Sequence, residues 1–387
     1  MKYYELSPQT PLRPLLENLG VTPEGIRILE KKATVRFIYL QDLKTPAANI
    51  LKQDALSAGG DLAVPKGTIC CQNPTVNALL MATDAQIKQL AKKALRQPFG
   101  LKQLGVFLQG MAPSVAPMPA VMGVINLNED SFFEQSRFEG KAALGRVREM
   151  IEQGAQYIDI GAVSSRPGSQ SVCAEEEMAR LRPVVEAIAR EKLYEKAIFS
   201  LDSYTPSCLE YALDHGFGFI NDITGLADEA VLDLAARYAV PVCVMHMQGT
   251  PWSMQENPEY EDVVWEVDAF FQERIGRALE KGVQKLVLDV GIGFGKTLTH
   301  NLLLLKHHHH FTRFGYPLLI GVSRKSMIHA LSPSLVHERL GGTLALHLEA
   351  VRNGASIVRC HDVQEHVQAL RIQRALAQTG VQGGADE

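Results

Sequence analysis

The sequence predicts an α/β protein, a (β/α)8 barrel of the TIM type preceded by a small α+β domain. From about position 120, eight short apolar runs alternate with amphipathic segments of about ten to twenty residues. Apolar strands joined by helices imply right-handed crossovers and a parallel sheet buried on both faces. Eight such units fit a closed barrel better than an open sheet, and polar residues follow at the strand ends, where barrel enzymes place their chemistry.

The chain is long enough for such a barrel and a smaller domain. It has 387 residues, of which 46% are hydrophobic and 21% charged, values of an ordinary globular protein. A proline-rich, uncharged stretch marks the boundary between the two parts. The predicted organisation is an N-terminal α+β extension, a linker, the barrel and a flexible tail, at residues 1–111, 112–119, 120–378 and 379–387.

Charge and hydropathy exclude several classes of protein. The net charge of −4 gives no broad attraction to nucleic acid or anionic membranes, so neither is expected as a partner. No apolar run approaches the roughly 20 residues of a membrane span, and Met1–Pro14 lacks the pattern of a secretory signal. The six cysteines form no C-x-x-C pair, which favours buried free thiols. We therefore expect a cytoplasmic protein.

The N-terminal extension carries no chemical motif. Ala33–Leu40 has the composition of a strand, and Asp84–Arg96 has helical spacing after Asp84 as the predicted N-cap. These two elements predict a small α+β domain. Its role cannot be derived from its residues.

The barrel elements follow in order. The predicted strands are Val121–Leu127, Tyr157–Ala162, Ala197–Ser203, Phe219–Ile223, Val242–Met247, Lys285–Val290, Leu318–Val322 and Ser356–Val363. Helical periodicity is clearest in Lys141–Gln153, Glu175–Arg190, Glu261–Lys281 and Glu338–Asn353.

Each predicted strand ends in polar or ionisable side chains. Burying all of these groups unpaired would cost several kcal/mol each, so they are expected to converge on a polar ligand at one end of the barrel. They are Asn126, Asp159, Asp202, Asn221, Asp222, His246, Asp289, Ser323, Arg324, Lys325, Arg359, His361 and Asp362.

Three conspicuous features have simpler interpretations. Gly291–Thr297 is rich in glycine but is neither a P-loop nor a dinucleotide fingerprint, so its glycines are expected to let the backbone pass close to a flat ligand. His307–His310 lies on a predicted helix, Asn301–Phe314, where four consecutive side chains point in four directions and form a solvated face. Cys243 and Cys360 lie inside strands and are expected to be core residues.

At this point the motifs resemble a known family, the bacterial dihydropteroate synthases. The matching segments occur one per strand, in the family's order, over about 260 residues. They are Met122–Asn126, Asp159–Gly161 with Ser164–Gly168, Leu201–Ser203, Ile220–Ile223, Met245–Pro251, Asp289–Thr297, Ser323–Ser326 and Val358–Val363. The N-terminal extension lies outside this resemblance.

The resemblance implies that the amine of p-aminobenzoate displaces pyrophosphate from 6-hydroxymethyl-7,8-dihydropterin pyrophosphate, which gives 7,8-dihydropteroate. The pterin-binding residues that it implies are Asp202, Asn221, Met245, Asp289, Phe294 and Lys325. Asp202, Asp289 and Lys325 are its catalytic residues. A deep carboxylate and an amide match the donor and acceptor edge of a pterin.

The same resemblance implies an anion site and an arylamine site. Pyrophosphate would meet Asn126, Arg359 and His361, with Mg²⁺ held through Asn126. The residues for p-aminobenzoate would be Phe132, Ser165, Arg166, Pro167 and Ser326. An arylamine is neutral at pH 7, so no strong general base is required. The family also implies a homodimer.

The first two loops depart from the family pattern. Asn126–Ser136 keeps Asp130, Ser131 and Phe132 but lacks the usual Thr-Pro pair and two glycines, and Ala162-Val163 replaces Gly-Glu. Two alternatives stay open. A pterin- or folate-binding methyltransferase would not need Ser323–Ser326 or the Arg359 and His361 anion site. A non-catalytic pterin-binding relative would explain the altered loops but not the intact polar set.

Overall fold

The protein is described by a computed structural model. It covers residues 12–111, 119–127, 136–163, 172–250 and 253–378, with side chains described from residue 142 in the third range. By its internal contacts the chain divides into two compact units. One comprises the first 113 residues with the chain end from Arg374, and the other is Ser114–Gln373.

The first unit is a small α+β domain. Its antiparallel sheet has the order β1-β3-β2, formed by β1 (Val35–Lys44), β2 (Asp61–Ala63) and β3 (Thr75–Thr83). Its helices are α1 (Leu12–Asn18), α2 (Pro23–Ala33), α3 (Thr45–Ser57), α4 (Asp84–Ala94) and α5 (Leu101–Gly110), and a 3-10 turn spans Thr68–Cys70.

Side-chain alternation along the sheet gives this unit its core. Ile38, Leu62 and Leu80 are buried among apolar residues of α3, α4 and α5. Phe37 and Tyr39, one position away on β1, are 68% and 58% exposed. Because successive strand residues point to opposite faces, one face of the sheet carries the core and the other faces outward.

The two predictions for this unit are right in kind and wrong in detail. The strand begins at Val35 and continues past a register shift after Leu40, a distortion that periodicity does not reveal. The N-cap of α4 is Thr83, whose N–H donates to Oε1 of Gln86 at 2.8 Å. Asp84, the predicted cap, instead forms an ion pair with Arg36 at 2.6 Å.

The second unit is a closed barrel of eight parallel strands. Around the barrel each strand pairs with its neighbours in chain order, and the last pairs with the first. The strands are β4 (Ala120–Asn126), β5 (Tyr157–Gly161), β6 (Ile198–Asp202), β7 (Phe219–Asp222), β8 (Val242–Met245), β9 (Leu286–Asp289), β10 (Leu318–Ile320) and β11 (Ile357–Cys360). The predicted (β/α)8 barrel is confirmed, with most observed strands one to three residues shorter than predicted.

Helices follow the strands and pack on the outside of the barrel. They are α6 (Ser136–Glu152), α7 (Ala174–Arg190), α8 (Pro206–Asp214), α9 (Glu229–Tyr238), α10 (Val263–Glu280), α11 (Leu298–Lys306), α12 (Ser326–Leu331), α13 (Leu340–Arg352) and α14 (Val363–Gln378). Short 3-10 helices occupy Leu193–Glu195, His308–Phe314 and Val336–Glu338. In the described part of the chain, no helix is long and apolar enough to cross a membrane.

A small apolar cluster closes the barrel interior. Its buried members come from six strands and are Met122, Phe219, Cys243, Val287, Leu319 and Ile357. The ring of Tyr157 packs edge-on against Phe219, with centroids 5.8 Å apart. Since inward positions recur every second residue, the next inward residue on each strand lies one layer closer to the carboxyl ends. This cluster therefore forms the apolar floor of the barrel interior, and the polar residues lie in the next layer toward the carboxyl ends of the strands.

The prediction for the histidine run is wrong. Helix α11 ends at Lys306, and the chain continues as the 3-10 helix His308–Phe314. His308 is fully buried, and Nε2 of His310 lies 2.8 Å from the carboxylate of Asp268. Only His307 keeps an exposed position. A 3-10 continuation has a different period from the α-helix, so the predicted solvated face does not form.

The cysteine prediction holds for half of the set. All six cysteines are free thiols. Cys208, Cys243 and Cys360 are buried, as expected for residues within the barrel packing. The other three are exposed, namely Cys70, Cys71 and Cys173.

Candidate active site

The polar residues converge because of the strand alternation. Five residues each follow an inward residue of the same strand by two positions. Asp159 follows Tyr157, which packs against the floor, and the other four follow members of the floor, namely Asn221, Met245, Asp289 and Arg359. Parallel strands bring their carboxyl ends to one mouth of the barrel. Four of the polar residues predicted at strand ends, Asp159, Asn221, Asp289 and Arg359, therefore share one layer directly above the apolar floor.

Asp159 is the centre of the hydrogen-bond network. The side chain is fully buried on β5. Its Oδ2 accepts from Nδ2 of Asn221 at 3.0 Å and from Nε of Arg359 at 2.6 Å. One carboxylate oxygen thus orients an amide from β7 and a guanidinium from β11. Sequence reasoning placed Asp159 at a strand end but assigned it no role.

Arg359 also reaches a second carboxylate. Its Nη2 donates to Oδ2 of Asp202 at 2.6 Å. Burial works against the charged guanidinium, but Asp159 and Asp202 outweigh it and raise the pKa of Arg359 above its ordinary value. Burial also raises the pKa of Asp202, against the attraction of Arg359. The guanidinium of Arg359 stays charged here, while the protonation of Asp202 depends on the balance between its burial and the charge of Arg359.

Gly161 leaves an open space between Asn126 and Asp202. These residues end neighbouring strands, in register with Gly161 between them. A Cβ at position 161 would lie 3.6 Å from Oδ1 of Asn126 and 3.7 Å from Oδ2 of Asp202. Two side-chain oxygens, both hydrogen-bond acceptors, therefore face the volume that a side chain at position 161 would fill. Asn126 itself is exposed.

Asp289 and Lys325 form the opposite side of the pocket. Oδ1 of Asp289 accepts from the Gly291 N–H at 2.7 Å. The Lys325 Nζ donates to the carbonyl of Ile292 and lies 4.7 Å from the centre of the Phe294 ring. Burial lowers the pKa of Lys325 to about 8, although Asp289 attracts the charged form.

These two groups share one electrostatic field with the Arg359 cluster. Burial raises the pKa of Asp289, while Lys325, the Gly291 N–H and Arg359 lower it. In turn, Arg359 lowers and Asp202 raises the pKa of Lys325. Because charges interact strongly where water is excluded, any anion or cation entering the mouth of the barrel changes the protonation balance of both sides.

The glycine-rich loop permits a close backbone approach to the loop after β8. The predicted approach to a flat ligand stays a prediction. Gly291 has φ of +67°, and a Cβ there would lie 1.9 Å from the carbonyl oxygen of His246. At Gly295, with φ of +63°, a Cβ would lie 2.5 Å from the carbonyl oxygen of Gln248. No other residue type fits these positions. The loop after β9 is therefore pressed against the loop after β8.

Lys296 connects the same two loops from inside. Its buried Nζ lies 2.9 Å from Nδ1 of His246 and donates to the carbonyls of His246 and Phe294 at 3.2 and 2.9 Å. Burial lowers the pKa of Lys296 to about 7. The pKa of His246 is lowered to about 2, mainly by burial and also by the charge of Lys296. The imidazole is neutral, so Nδ1 can accept. No role was predicted for Lys296 from the sequence.

Side-chain hydrogen bonds connect the segments that follow β10 and β11, the seventh and eighth strands of the barrel. Oγ of Ser323 lies 2.9 Å from Nδ1 of His361, and Arg324 donates to the carboxylate of Asp362 through Nε at 3.1 Å. Ser326 is exposed at the start of α12. The end of β10 and the end of β11 therefore present Ser323, Arg359 and His361 from adjacent positions.

Two buried histidines support these strand ends from behind. Nε2 of His347 accepts from the Val322 N–H at 3.1 Å, so its proton lies on Nδ1 and is donated to Nε2 of His366 at 2.8 Å. His366 in turn lies 2.6 Å from the carbonyl of Asp362 through Nδ1. The tautomers are fixed along the whole chain of bonds. Burial lowers the pKa of both rings.

Some predicted positions cannot be placed. Phe132, Ser165, Arg166 and Pro167 lie outside the described residues.

Asp222 lies on β7 as predicted, but its carboxylate accepts from the N–H groups of Thr224 and Leu226 at 2.7 and 3.0 Å. It therefore closes its own loop.

A barrel mouth with buried carboxylates, an amide and the cations Arg359 and Lys325 is typical of an enzyme for a small polar substrate that carries negative charge. The sequence profile described as "Pterin binding enzyme" matches residues 122–361. The bifunctional dihydropteroate synthase/dihydropteroate reductase of Helicobacter pylori is 42% identical over 348 residues, covering 89% of this chain and 91% of that protein. The dihydropteroate synthase of Escherichia coli K12 is 43% identical over 273 residues, covering 70% and 95%.

Solved structures give the same result. A Yersinia pestis dihydropteroate synthase in complex with a sulfonamide drug has 39% identity and a TM-score of 0.64, covering 68% of this chain and 95% of that one. The Xanthomonas albilineans dihydropteroate synthase with 4-aminobenzoic acid has 37% identity and a TM-score of 0.63, covering 68% and 94%. The chain therefore belongs to the pterin-binding enzyme family and, within it, to the dihydropteroate synthases, transferases of folate biosynthesis.

Proposed function

We propose that the barrel condenses 6-hydroxymethyl-7,8-dihydropterin pyrophosphate with p-aminobenzoate to give 7,8-dihydropteroate and pyrophosphate. The observation that carries this proposal is the shared Asp159 oxygen, which holds Asn221 and Arg359 side by side. An amide beside a guanidinium suits a pterin that carries an anionic group. The methyltransferase and non-catalytic alternatives do not account for this pairing together with the Ser323 and His361 contact.

The pterin would be recognised by groups with unused hydrogen-bonding capacity. Asn221 spends its Nδ2 on Asp159, so its carbonyl oxygen remains for a ligand N–H. Asp289 uses Oδ1 for the Gly291 N–H, which leaves Oδ2 for a second ligand donor. Lys325 supplies a donor for the pterin carbonyl. Met245 and Phe294 supply apolar contact to the ring faces.

In the reaction, the amine nitrogen of p-aminobenzoate bonds to the pterin methylene carbon as the carbon–oxygen bond to pyrophosphate breaks. The bonding electrons leave with pyrophosphate, and the amine loses a proton to solvent. Positive charge develops on the methylene, where the fixed carboxylates of Asp202 and Asp289 stabilise it without reorganisation. We assign Asp202, Asp289 and Lys325 as the catalytic residues, and positioning carries the rate.

Pyrophosphate would bind where cations meet the pocket rim. Arg359 keeps Nη1 free while Nε and Nη2 hold the two carboxylates. His361 lies beside it on the same chain segment. Among the described residues no cluster of three or more His, Cys, Asp or Glu could hold a metal ion. The oxygen of Asn126 at the Gly161 space fits Mg²⁺, which takes few protein ligands when substrate oxygens complete its shell. Bound Mg²⁺ would neutralise charge on the leaving pyrophosphate.

The arylamine side rests on the exposed hydroxyl of Ser326 and on the loop residues Phe132, Ser165, Arg166 and Pro167. Ser326 would take the p-aminobenzoate carboxylate. Because a Yersinia relative binds a sulfonamide drug, we expect the same pocket to accept sulfonamides. We also propose a cytoplasmic homodimer, in line with the family.

The test is release of pyrophosphate by the purified protein with the pterin substrate, p-aminobenzoate and Mg²⁺. Tight pterin binding without pyrophosphate release would refute the proposal. Asp289→Ala is expected to lose pterin affinity. Ser326→Ala is expected to raise the KM for p-aminobenzoate and leave pterin affinity unchanged, which makes it the matched control.

A second candidate activity is favoured by the extent of one match. The H. pylori relative is named a dihydropteroate reductase as well as a synthase, and its match covers 89% of this chain. Residues 112–387 are too few to contain that match, so it extends into the N-terminal unit. We propose that the full chain also reduces dihydropteroate. Incubation with dihydropteroate and a reduced nicotinamide dinucleotide tests this, and unchanged dihydropteroate would argue against it.

A further inference from the structure

The two parts of the chain carry opposite charge. Residues 1–111 contain 14 lysine or arginine residues against 8 aspartate or glutamate residues, a formal charge of +6. Residues 112–387 contain 25 against 35, a formal charge of −10. The overall charge of −4 therefore hides a basic N-terminal part, and positive charge concentrated in one domain favours an anionic partner.

Much of this positive charge lines one groove. A cavity of about 310 Å³ lies between α2 and α4. Four residues from each helix form its walls, at helical spacings that place them on one face. The cations among them are Arg27, Lys31, Lys32, Lys88 and Lys92. No carboxylate lines the groove.

The four lysines lack ion-pair partners within the described residues, and Arg27 pairs only with the exposed Glu24. Elsewhere in the same unit two lysines are paired, Lys52 with Asp61 at 3.3 Å and Lys93 with Asp54 at 3.4 Å. What distinguishes the groove is that cations from two helices line one cavity with no carboxylate among its lining residues.

The helix dipole explains only part of the arrangement. Lys31 and Lys32 lie in the last turn of α2, and Lys92 in the last turn of α4, where cations stabilise a helix. Arg27 and Lys88 lie outside the last turns and gain nothing from this. Each sits four residues before another groove cation, and such like-charge pairs destabilise a helix. An anion between the helices removes both repulsions.

We propose that the groove between α2 and α4 binds a small organic anion that carries at least two linked phosphate groups. Several lysine ammonium groups around one cavity suit a dense cluster of negative oxygens. Ile28, which is 57% exposed on the groove wall, and the lysine stems provide apolar contact for an organic moiety. The volume matches that of small-molecule sites.

The experiment measures binding of ATP, AMP and inorganic pyrophosphate to the full-length protein by calorimetry, without Mg²⁺. The groove variant is Lys31→Glu with Lys88→Glu. The matched control, Lys66→Glu with Lys102→Glu, makes the same charge change at exposed lysines of the same unit that do not line the groove. Because the barrel also binds anions, the readout is the difference between these variants.

We expect the groove variant to weaken ATP binding at least about tenfold and the control less than about twofold. AMP should bind more weakly than ATP to the unmodified protein, and pyrophosphate alone should separate the phosphate contribution from the organic one. Formation of dihydropteroate should stay unchanged in both variants. Lys31→Ala with Lys88→Ala gives the same ranking if the glutamate variant fails to fold.

Three results overturn the proposal. Equal weakening in both variants indicates a diffuse field without a site. No weakening in the groove variant places ATP in the barrel alone. Tighter binding of a single-stranded oligonucleotide than of ATP, lost in the groove variant, identifies the groove as a nucleic-acid surface.

Discussion

The two units of this chain use charge in opposite ways. In the barrel, Asp159 is fully buried and bonded to Arg359 and Asn221. In the N-terminal unit, ion pairs such as that of Arg13 and Glu30 lie at the surface, with side chains 53% and 26% exposed. Burying an unpaired charge costs several kcal/mol, whereas replacing an exposed charge changes stability by about 1 kcal/mol or less. A polar pattern is therefore informative about function where it is buried and much less so where it is exposed.

The largest expected effect is at the centre of the barrel network. Asp159→Ala removes a carboxylate from a buried pair, and we expect the free energy of unfolding to fall by about 3–5 kcal/mol. Both tryptophans, Trp252 and Trp265, belong to the barrel unit, so their fluorescence in urea measures this loss. A loss below about 1 kcal/mol would mean that Asp202 alone satisfies Arg359.

The next effect is on catalysis. Lys325→Met keeps the apolar stem and removes the donor beside Asp289, and we expect kcat/KM to fall by about 10²–10³. Lys102→Met, an exposed change in the N-terminal unit, is the control. Steady-state kinetics at saturating p-aminobenzoate give the comparison, and an unchanged kcat/KM would remove Lys325 from the catalytic set.

A smaller effect concerns pH. Burial lowers the pKa of Lys296 to about 7, whereas an unfolded lysine titrates near 10.4. Between those values the unfolded chain binds a proton that the folded protein does not, so the free energy of unfolding rises with pH, by at most about 1.4 kcal/mol per pH unit for this group. Lys296→Met should flatten this rise.

Urea unfolding at pH 7, 8 and 9 measures the slope. Lys93→Met, at an ion pair in the N-terminal unit, should leave the slope as it is. If the Lys296 variant keeps the full slope, the lysine is charged in the folded protein and its carbonyl contacts outweigh its burial.

The smallest effect is expected at the surface. Glu30→Gln removes the negative charge and one of the two oxygens that accept from Arg13 at 2.8 and 2.7 Å, and we expect a change below about 1 kcal/mol in the stability of the N-terminal unit. Hydrogen exchange of α2 is the measurement. A larger loss would show that charge pairing stabilises this unit as it does the barrel.

Sequence alone was sufficient for the barrel and for the position of several polar residues at its mouth. Strand alternation puts every second residue inward, which is enough to place Asn221, Asp289 and Arg359 at one mouth of the barrel. It was not sufficient where the period changes. The chain after Lys306 continues as a 3-10 helix, which buries His308 and directs His310 to Asp268. The N-cap at Thr83 depends on a single bond to Gln86, which spacing does not identify.

The residues of the polar pocket were determined by the sequence, because strand period and chain order fix which side chains share a layer. The tertiary structure alone decided which of them bond to one another. Asp159 becomes the common acceptor of Asn221 and Arg359 only when β5, β7 and β11, distant in sequence, face one another across the barrel. Lys296 likewise joins the loops after β8 and β9 only because Gly291 and Gly295 let their backbones touch. Whether a hydrogen bond forms depends on differences of a few tenths of an ångström in the distance between donor and acceptor, and no periodicity in a sequence carries that information.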